Sequence, residues 1–226
     1  MFEFVRLRRT QFYVCSKCLT RRDVDRGNLG AERNWQHFRT LTTFTTPHEP
    51  QHQAFPVARM QLLVIRHGIA EDPSAVASGQ DDPGPPLSKE GKKMIKRVAA
   101  GLRELVDEID VIGASPLLRA QQTAKIVGKA YDDLQIATVD DLLPESDPPA
   151  LMNWLQQHSA LDVVAIVGHQ PNLGLVVTWL MSGTKASRVA LTKGGTCLLE
   201  FSSSVSPGNG TLQWLLTPSQ LRRIGD

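Results

Sequence analysis

From residue 60 onward the sequence alternates between short apolar runs and longer amphipathic stretches, and this alternation restricts the fold more than any other feature. The apolar runs have the length and the β-branched content of buried strands. In chain order they are "QLLVIR", "IDVIGA", "QIATV" and "DVVAIVG". The segments between and after them place apolar residues at three- and four-residue spacing, the pattern of an amphipathic helix. Strands that alternate with helices predict an α/β fold in which a mostly parallel sheet carries helices on both faces.

The helix boundaries are predicted from capping signals. Ser88 is the expected N-cap of the first helix, whose buried side comprises Met94, Ile95, Val98, Leu102, Leu105 and Val106. Ser115 followed by Pro116 is typical of a helix start, with the serine as the cap residue and the proline at the first helical position. The helix that they begin is predicted to bury Leu117, Ala120, Ala124 and Val127. A third helix covers "PPALMNWLQQH", with His158 interpreted as a helix-end residue rather than a ligand, and a fourth runs to Gly183.

Two late apolar runs, "TCLLEF" and "TLQWLLT", flank the turn sequence "SPGNG". Strands separated by a glycine-rich turn of this kind predict a hairpin. We therefore predict one three-layer α/β domain over residues 60–226, built on a mostly parallel central sheet and completed by a C-terminal hairpin.

The first 59 residues are a different kind of sequence. They carry ten basic and five acidic residues, a net charge of +5, whereas the rest of the chain carries 15 basic and 18 acidic residues, a net charge of −3. They show no helical or strand period, and we expect a poorly structured basic extension, with Met60 as a plausible natural start. The arginine content is also typical of an organelle transit peptide, although the acidic residues are not. A zinc site formed by Cys15, Cys18, His48 and His52 is a further alternative, although the cysteines and the histidines are farther apart than in usual zinc fingers.

Composition excludes several classes of function. No apolar run approaches the roughly 18 residues that a membrane-spanning helix needs, so we expect no membrane partner. Cys197 is the single cysteine after residue 59, which implies no disulfide framework and fits a reducing cytoplasm. The chain from residue 60 onward carries a net negative charge, so nucleic acid is not an expected partner.

Charged and imidazole side chains follow three of the predicted strands. In open α/β sheets, ligands bind outside the carboxyl ends of the strands. That edge is predicted to receive Arg66 and His67, then Ser115 and Arg119, then Gly168 and His169. Two arginines and two histidines buried together would repel one another and lose hydration unless an anion joined them. Because guanidinium groups match phosphate oxygens and helix N-termini attract anions, the pattern predicts a phosphate site.

The segments "LLVIRHGIAED", "LSKEGKK", "SPLLRAQQTA", "GHQPNL" and "KGG" resemble the histidine phosphatase superfamily, in its short SixA-type phosphohistidine phosphatase branch. The resemblance runs from Met60 to about Pro218 and implies a phosphoglycerate mutase-like fold without a metal or other cofactor. It also implies that His67 is the nucleophile that becomes phosphorylated. By the same resemblance Arg66 and Arg119 hold the phosphoryl oxygens, and His169 contacts the phosphoryl group from the other side.

The chemistry of these residue types agrees with that implication. A neutral imidazole attacks phosphorus well near pH 7 if its other nitrogen is held by a hydrogen-bond acceptor, and Gly68 lets the backbone turn closely enough to offer one. Two arginines and a protonated His169 are expected to stabilise the equatorial oxygens, with Gly68 and Ser115 lining the site. The paired acids are interpreted as solvated loop residues: Asp81 and Asp82, Asp140 and Asp141.

The substrate class is inferred from chain length. About twenty residues separate the third predicted strand from "DVVAIVG", and one helix already occupies them, so we expect no helical lid. An open cleft favours phosphohistidine on a signalling or phosphorelay protein over an enclosed metabolite. Glu145 lies where the superfamily often has a proton donor, and an ordinary surface acid is an equal alternative. A small phosphomonoesterase and a non-catalytic phosphate-binding protein stay open as other functions.

Overall fold

The computed structural model describes residues 59–72, 74 and 84–226. The proposed extension therefore lies outside the described residues except for Arg59, and so do its candidate zinc ligands and the acids Asp81 and Asp82. Within the described ranges, no helix is long and apolar enough to cross a membrane. In the same part of the chain, no group of three His, Cys, Asp or Glu side chains is placed to hold a metal ion.

Six strands form one sheet: β1 (Met60–Arg66), β2 (Val111–Ala114), β3 (Ile136–Thr138), β4 (Val163–Gly168), β5 (Thr196–Phe201) and β6 (Thr211–Leu216). Their spatial order is β3-β2-β4-β1-β5-β6. The pairs β1–β4, β2–β4 and β2–β3 are parallel, whereas β1–β5 and β5–β6 are antiparallel. The mostly parallel sheet and the C-terminal hairpin are confirmed.

Five α-helices accompany the sheet in the described part of the chain: α1 (Lys89–Arg103), α2 (Leu118–Ala130), α3 (Met152–Gln157), α4 (Asn172–Ser182) and α5 (Pro218–Ile224). Alternate residues of β1 point into two different cores, as expected for a strand buried on both faces. Leu63 and Ile65 pack with residues of α1, α2 and α5. Leu62 and Val64 pack with residues of α3 and α4. The described residues therefore form the predicted three layers.

Two predicted helices begin or end elsewhere. Ser88 caps α1 as predicted, since its side chain accepts a hydrogen bond from the Gly91 amide. The helix ends at Arg103, however, and Leu105 beyond it is 41% exposed, so the prediction that Leu105 lies on its buried side is wrong. The prediction that α2 starts at Pro116 is also wrong, because Leu117 has an extended conformation and the helix begins at Leu118. Leu117 therefore lies outside the helix and is only partly buried, contrary to the prediction.

The region of the third predicted helix is divided. Residues Pro148–Leu151 form a 3₁₀ turn, and only the following six residues of α3 are α-helical. His158 is the C-cap of α3, and its Nδ1 lies 2.8 Å from the carbonyl oxygen of Trp154. The interpretation of His158 as a helix-end residue is confirmed.

Helix α5 was not predicted from the sequence. It begins with a capping box, in which the Thr217 side chain accepts from the Gln220 amide and the Gln220 side chain accepts from the Thr217 amide. The helix packs against α1 at Gly101, where a Cβ atom would clash with the backbone carbonyl of Leu221. Close approach of the two helices therefore depends on the glycine in α1.

Candidate active site

The strand order brings three predicted site segments to one edge of the sheet. Strands β2, β4 and β1 are adjacent, and all three are parallel, so their carboxyl ends lie side by side. The His67 amide donates to the Gly168 carbonyl at 3.1 Å, and the Ser115 amide donates to the Val167 carbonyl at 3.0 Å. These bonds hold the residues that follow the three strands next to one another.

His67 is held in a single orientation at the end of β1. The side chain is buried, and its Nδ1 lies 2.7 Å from the carbonyl oxygen of Gly68. Because a carbonyl oxygen only accepts hydrogen bonds, Nδ1 carries the proton and Nε2 keeps its lone pair. Burial lowers the pKa of His67 to about 4, and the positive charges of Arg119, Arg66 and Lys193 act in the same direction, while the bond to Gly68 opposes them. The ring is therefore neutral near pH 7, as a nucleophile must be.

The space around Gly68 has no room for a larger side chain. A Cβ atom at this position would lie 2.7 Å from Cγ1 of Ile95, a fully buried residue of α1. The glycine amide donates to the Thr123 hydroxyl at 3.1 Å, while its carbonyl accepts from His67. Both polar groups of Gly68 are thus used in placing the end of β1.

Arg66 is anchored by one end of its guanidinium group. Its Nη1 donates to the Leu191 carbonyl at 2.7 Å, and among the described residues its buried Nε has no hydrogen-bond partner. The Gly194 amide lies 3.1 Å from the Arg66 carbonyl and 3.0 Å from the His67 carbonyl, so the loop before β5 supports both residues. Burial lowers the pKa of Arg66, which still carries its charge near neutral pH.

Arg119 reaches the site from a helix rather than from a strand end. It is the second residue of α2, and burial lowers the pKa of its guanidinium group. Its positive charge lowers the pKa of both His67 and His169, so its guanidinium group lies near the two imidazoles. The structure therefore groups both arginines with both histidines, as the strand assignments predicted.

His169 lies beside His67, with 4.9 Å between the ring centroids and 50° between the ring planes. Its Nε2 lies 2.9 Å from the hydroxyl of the fully buried Ser115. Its Nδ1 is also buried and has no hydrogen-bond partner among the described residues. The Ser115 hydroxyl is therefore engaged with His169, in addition to a 3.4 Å contact from the Leu117 amide, which explains why it does not cap α2.

The protonation expected for His169 during phosphoryl transfer stays a prediction, because the pKa of the ring depends on the charges beside it. Burial lowers the pKa of His169 to about 3, and the neighbouring His67, Arg119 and Arg66 lower it further. A neutral ring that accepts from Ser115 at Nε2 carries its proton on Nδ1, the unpaired position. A phosphoryl dianion beside it would raise its pKa, because a nearby negative charge favours the protonated form.

Glu145 is exposed and lies in the loop between β3 and α3. The loop is tied to the start of α4, since Nδ2 of the buried Asn172 donates to the Ser146 carbonyl at 2.6 Å. No hydrogen bond or ion pair joins Glu145 to another residue in the described ranges. The structure therefore places the loop close to the His169 segment but does not bring the Glu145 carboxylate into contact with the two histidines and two arginines.

Sequence reasoning did not identify two residues that organise the site, Thr123 and Gln121. Both belong to "RAQQTA" in α2, and Thr123 follows Arg119 by one helical turn. Gln121 donates from Nε2 to the Ser115 carbonyl at 2.9 Å, and Thr123 binds the Gly68 amide. The spacing of Thr123 relative to Arg119 was a usable signal, because residues one turn apart share a helix face. Gln121, two residues after Arg119, gave no such signal.

The lowered pKa values predict a loss of stability in mild acid. Between about pH 6.5 and about pH 4 the histidines of the unfolded chain bind protons, whereas His67 and His169 in the folded protein do not. The unfolded state is then favoured as the pH falls, by up to about 1.4 kcal/mol per pH unit for each histidine. Chemical denaturation at pH 7, 6 and 5 measures this slope. In the double variant His67→Gln/His169→Gln, the free energy of unfolding should depend less steeply on pH. An unchanged dependence would contradict the low pKa values of these two histidines.

Comparison with known proteins gives a consistent set of relatives. The family model of the histidine phosphatase superfamily (branch 1) matches residues 62–147. An uncharacterized protein of Picosynechococcus sp. is 34% identical over 138 residues, which are 60% of this chain and 82% of that protein. The phosphohistidine phosphatase SixA of Escherichia coli (strain K12) is 28% identical over 170 residues, 72% of this chain and 97% of that protein.

Solved structures show the same fold. The structure of the protein histidine phosphatase SixA complexed with tungstate matches with a TM-score of 0.59 and 27% identity, over 72% of this chain and 99% of that one. Phosphoglycerate mutase from Bacillus anthracis str. Sterne matches with a TM-score of 0.56 and 14% identity, over 75% of this chain and 98% of that one. The predicted phosphoglycerate mutase-like architecture is confirmed.

Proposed function

This chain belongs to the histidine phosphatase superfamily, and we propose that it hydrolyses phosphohistidine on another protein through a phosphorylated His67. Membership of the superfamily and similarity to SixA support a phosphatase. The observation that carries the proposal is the single tautomer of His67, whose Nδ1 is engaged with Gly68 so that Nε2 is the nucleophilic atom. The similar SixA structure holds tungstate, which supports an oxyanion site in this chain as well.

In the first step, the lone pair of His67 Nε2 attacks phosphorus and forms an N–P bond. The bond from phosphorus to the substrate nitrogen breaks, and its electron pair leaves on the imidazole, which takes up a proton from solvent. Arg66 and Arg119 supply fixed positive charge for the equatorial oxygens, and His169 is a further polar group beside His67. In this step the protein positions the reactants and stabilises charge.

In the second step, water attacks the phosphorylated His67. The P–O bond to water forms as the N–P bond breaks, the electron pair returns to Nε2, and inorganic phosphate leaves with the two protons of the water molecule. The low pKa of His67 favours this departure, because the ring is a better leaving group when its nitrogen is less basic. Splitting hydrolysis into two displacements replaces one difficult step by two easier ones.

The length of the loop after β3 supports a protein-borne substrate. Between β3 and β4 the chain forms two short 3₁₀ turns and the six-residue α3, and Glu145 among these residues is exposed. This stretch contains no long helical insertion that could roof the site, so we propose that a phosphohistidine side chain on a folded protein enters from this side. The signalling role and the cytoplasmic location of such a partner stay predictions.

A comparison of substrates tests the proposal. The enzyme is expected to have a higher kcat/KM for phosphohistidine, presented on a phosphorylated histidine-containing protein, than for alkyl and aryl phosphomonoesters. Acid-free rapid quenching should also trap the phosphoryl group on His67. A higher kcat/KM for an alkyl phosphate would replace this proposal by the phosphomonoesterase alternative. Phosphate binding without turnover of any substrate would favour the non-catalytic alternative.

Glu145 distinguishes the two enzymatic alternatives. An imidazole leaving group is protonated near neutral pH, since histidine titrates near pH ~6.5, whereas an alkoxide needs a proton in the transition state. We expect Glu145→Gln to leave phosphohistidine hydrolysis within a few-fold and, if the carboxyl reaches the site, to slow alkyl phosphate hydrolysis by about 10²–10⁴-fold. Glu108→Gln, at an exposed acid beyond α1, is the matched control. Equal large losses on both substrates would show that Glu145 positions the phosphoryl group instead.

A further inference from the structure

Thr123 is a buried polar residue in the middle of α2 that makes two hydrogen bonds with its hydroxyl group. The oxygen lies 2.7 Å from the carbonyl oxygen of Arg119 and 3.1 Å from the amide nitrogen of Gly68. A carbonyl only accepts and an amide only donates, so the hydroxyl proton goes to Arg119 and a lone pair receives the Gly68 N–H. Both bonds therefore form at the same time and have unambiguous directions.

The first bond alone is ordinary, because threonine in a helix commonly bonds the carbonyl four residues earlier. The second bond leaves the helix and reaches the residue that follows His67. Gly68 is buried, and its own carbonyl accepts from His67 Nδ1 at 2.7 Å. The Thr123 hydroxyl thus holds one side of Gly68 while the other side holds the imidazole ring.

The neighbouring side chains in α2 bind other parts of the site. Gln121 donates to the Ser115 carbonyl at 2.9 Å, and Gln122 accepts from the Leu87 amide at 2.7 Å. Thr123 is the member of this group that bonds to the residue after the nucleophile. It also bonds the backbone of Arg119, the arginine that the same helix contributes. One hydroxyl therefore connects the nucleophile's acceptor with an arginine of the phosphate site.

We propose that Thr123 is a positioning residue that holds Gly68 as the acceptor for His67 and so maintains the tautomer with a free Nε2. The proposal rests on the proposed function for its consequence in catalysis, but the tautomer itself is independent of turnover. Without the hydroxyl, the buried Gly68 amide loses its acceptor, which favours a rotation of the backbone at Gly68. The Gly68 carbonyl then moves away from Nδ1, and the proton is no longer confined to that nitrogen.

The test compares Thr123→Val, which removes the hydroxyl at nearly constant volume, with Thr123→Ser, which retains it. Thr178→Val is the matched control, because Thr178 in α4 also donates its hydroxyl in a single side-chain bond, to Ser187 at 2.9 Å. We expect Thr123→Val to lower kcat by about 10–100-fold with KM changed less than about threefold, since small misplacement of reacting groups has effects of this size. Thr123→Ser should retain at least about a third of wild-type kcat, and Thr178→Val should match the wild type.

A spectroscopic measurement separates positioning from general destabilisation. In ¹⁵N-histidine NMR spectra, wild-type His67 should show a protonated Nδ1 and an unprotonated Nε2, and Thr123→Val should show a mixture of tautomers at the same pH. An unchanged His67 tautomer in Thr123→Val, or a kcat within twofold of the wild type, would overturn the proposal. If Thr123→Val does not fold, Thr123→Ala replaces it in both measurements. Rapid solvent exchange of the Gly68 amide in the folded wild type would also overturn the proposal, because that amide would then not be bonded to Thr123. A wild type that hydrolyses no phosphohistidine would disprove the proposed function, while the tautomer measurement would still decide the role of Thr123.

Discussion

Replacing His67 with alanine is expected to lower kcat by on the order of 10⁴-fold or more, a loss comparable to that of the nucleophile in other covalent enzymes. The reason is geometric as well as chemical. Nε2 of His67 is the imidazole nitrogen that keeps a lone pair at neutral pH, because Nδ1 donates to Gly68. Its low pKa keeps that lone pair available. Trapping with ³²P-labelled substrate should yield a phosphorylated histidine in the wild type and none in His67→Ala.

His158→Ala is the matched control, because this histidine caps α3 and bonds only the backbone carbonyl of Trp154 through its ring. It should retain wild-type turnover and the trapped intermediate. His169→Gln should still form the intermediate, but more slowly, since the side chain next to the nucleophile is altered. If label appears on His169, or if His67→Ala turns over within about tenfold of the wild type, His67 is not the nucleophile.

The parts of the fold that could be predicted are those in which burial leaves a pattern in the sequence. Strands β1 and β4 are continuous apolar runs because helices cover both faces of the sheet, and their positions agree with the structure. Helix α5 left no such pattern, since Leu221 is its single fully buried residue. Its stability comes from the capping box at Thr217 and from contact with Gly101, a residue more than a hundred positions earlier.

The start of α2 shows how a side chain can have two uses. Ser115 before Pro116 is a normal cap sequence, but in the structure the serine hydroxyl binds His169 Nε2. The chain then needs two further residues before the helix begins at Leu118. A partner that is 54 residues away along the chain decides the local boundary, and capping rules contain no information about it.

The grouping of the site residues followed from the strand assignments, whereas their protonation did not. Sequence order places Arg66, His67 and His169 at strand ends that the parallel sheet brings together. The depth of burial is a property of the packed structure, and burial is the largest cause of the low pKa of both histidines. For this reason the low pKa of the two rings could not be predicted from the sequence, although their positions at the strand ends were. Thr123 was missed for a similar reason, because its hydrogen bond to Gly68 joins two distant segments.

Arg119 is connected both to Thr123 and to the two histidines. It lies one turn before Thr123 in α2, its backbone carbonyl accepts from that hydroxyl, and its charge acts on both histidines. Burial lowers the pKa of its guanidinium group, which means that the charge is partly stripped of water. A partly desolvated charge acts more strongly on a phosphoryl group than a solvated one, because less of its field is screened.

We therefore expect Arg119→Ala to lower kcat/KM by about 10³-fold or more, in the range known for arginines that stabilise phosphoryl transfer. Arg119→Lys should recover only part of this loss, since an ammonium group restores the charge but cannot bind two phosphoryl oxygens in the planar fork of arginine. Steady-state kinetics and inhibition by inorganic phosphate measure both effects, with Arg223→Ala on the exposed end of α5 as the control.

Loss of the Arg119 charge has a second consequence with a definite sign. A facing cation lowers the pKa of His67 and His169, so Arg119→Ala should raise both values towards the ordinary value of about 6.5. The rise should be partial, because burial is the larger cause and stays in place. NMR titration of the two rings should therefore show protonation at a higher pH in Arg119→Ala than in Arg119→Lys. If the alanine variant loses activity without any upward shift of either pKa, Arg119 acts on the phosphoryl group from outside the space that the two histidines share.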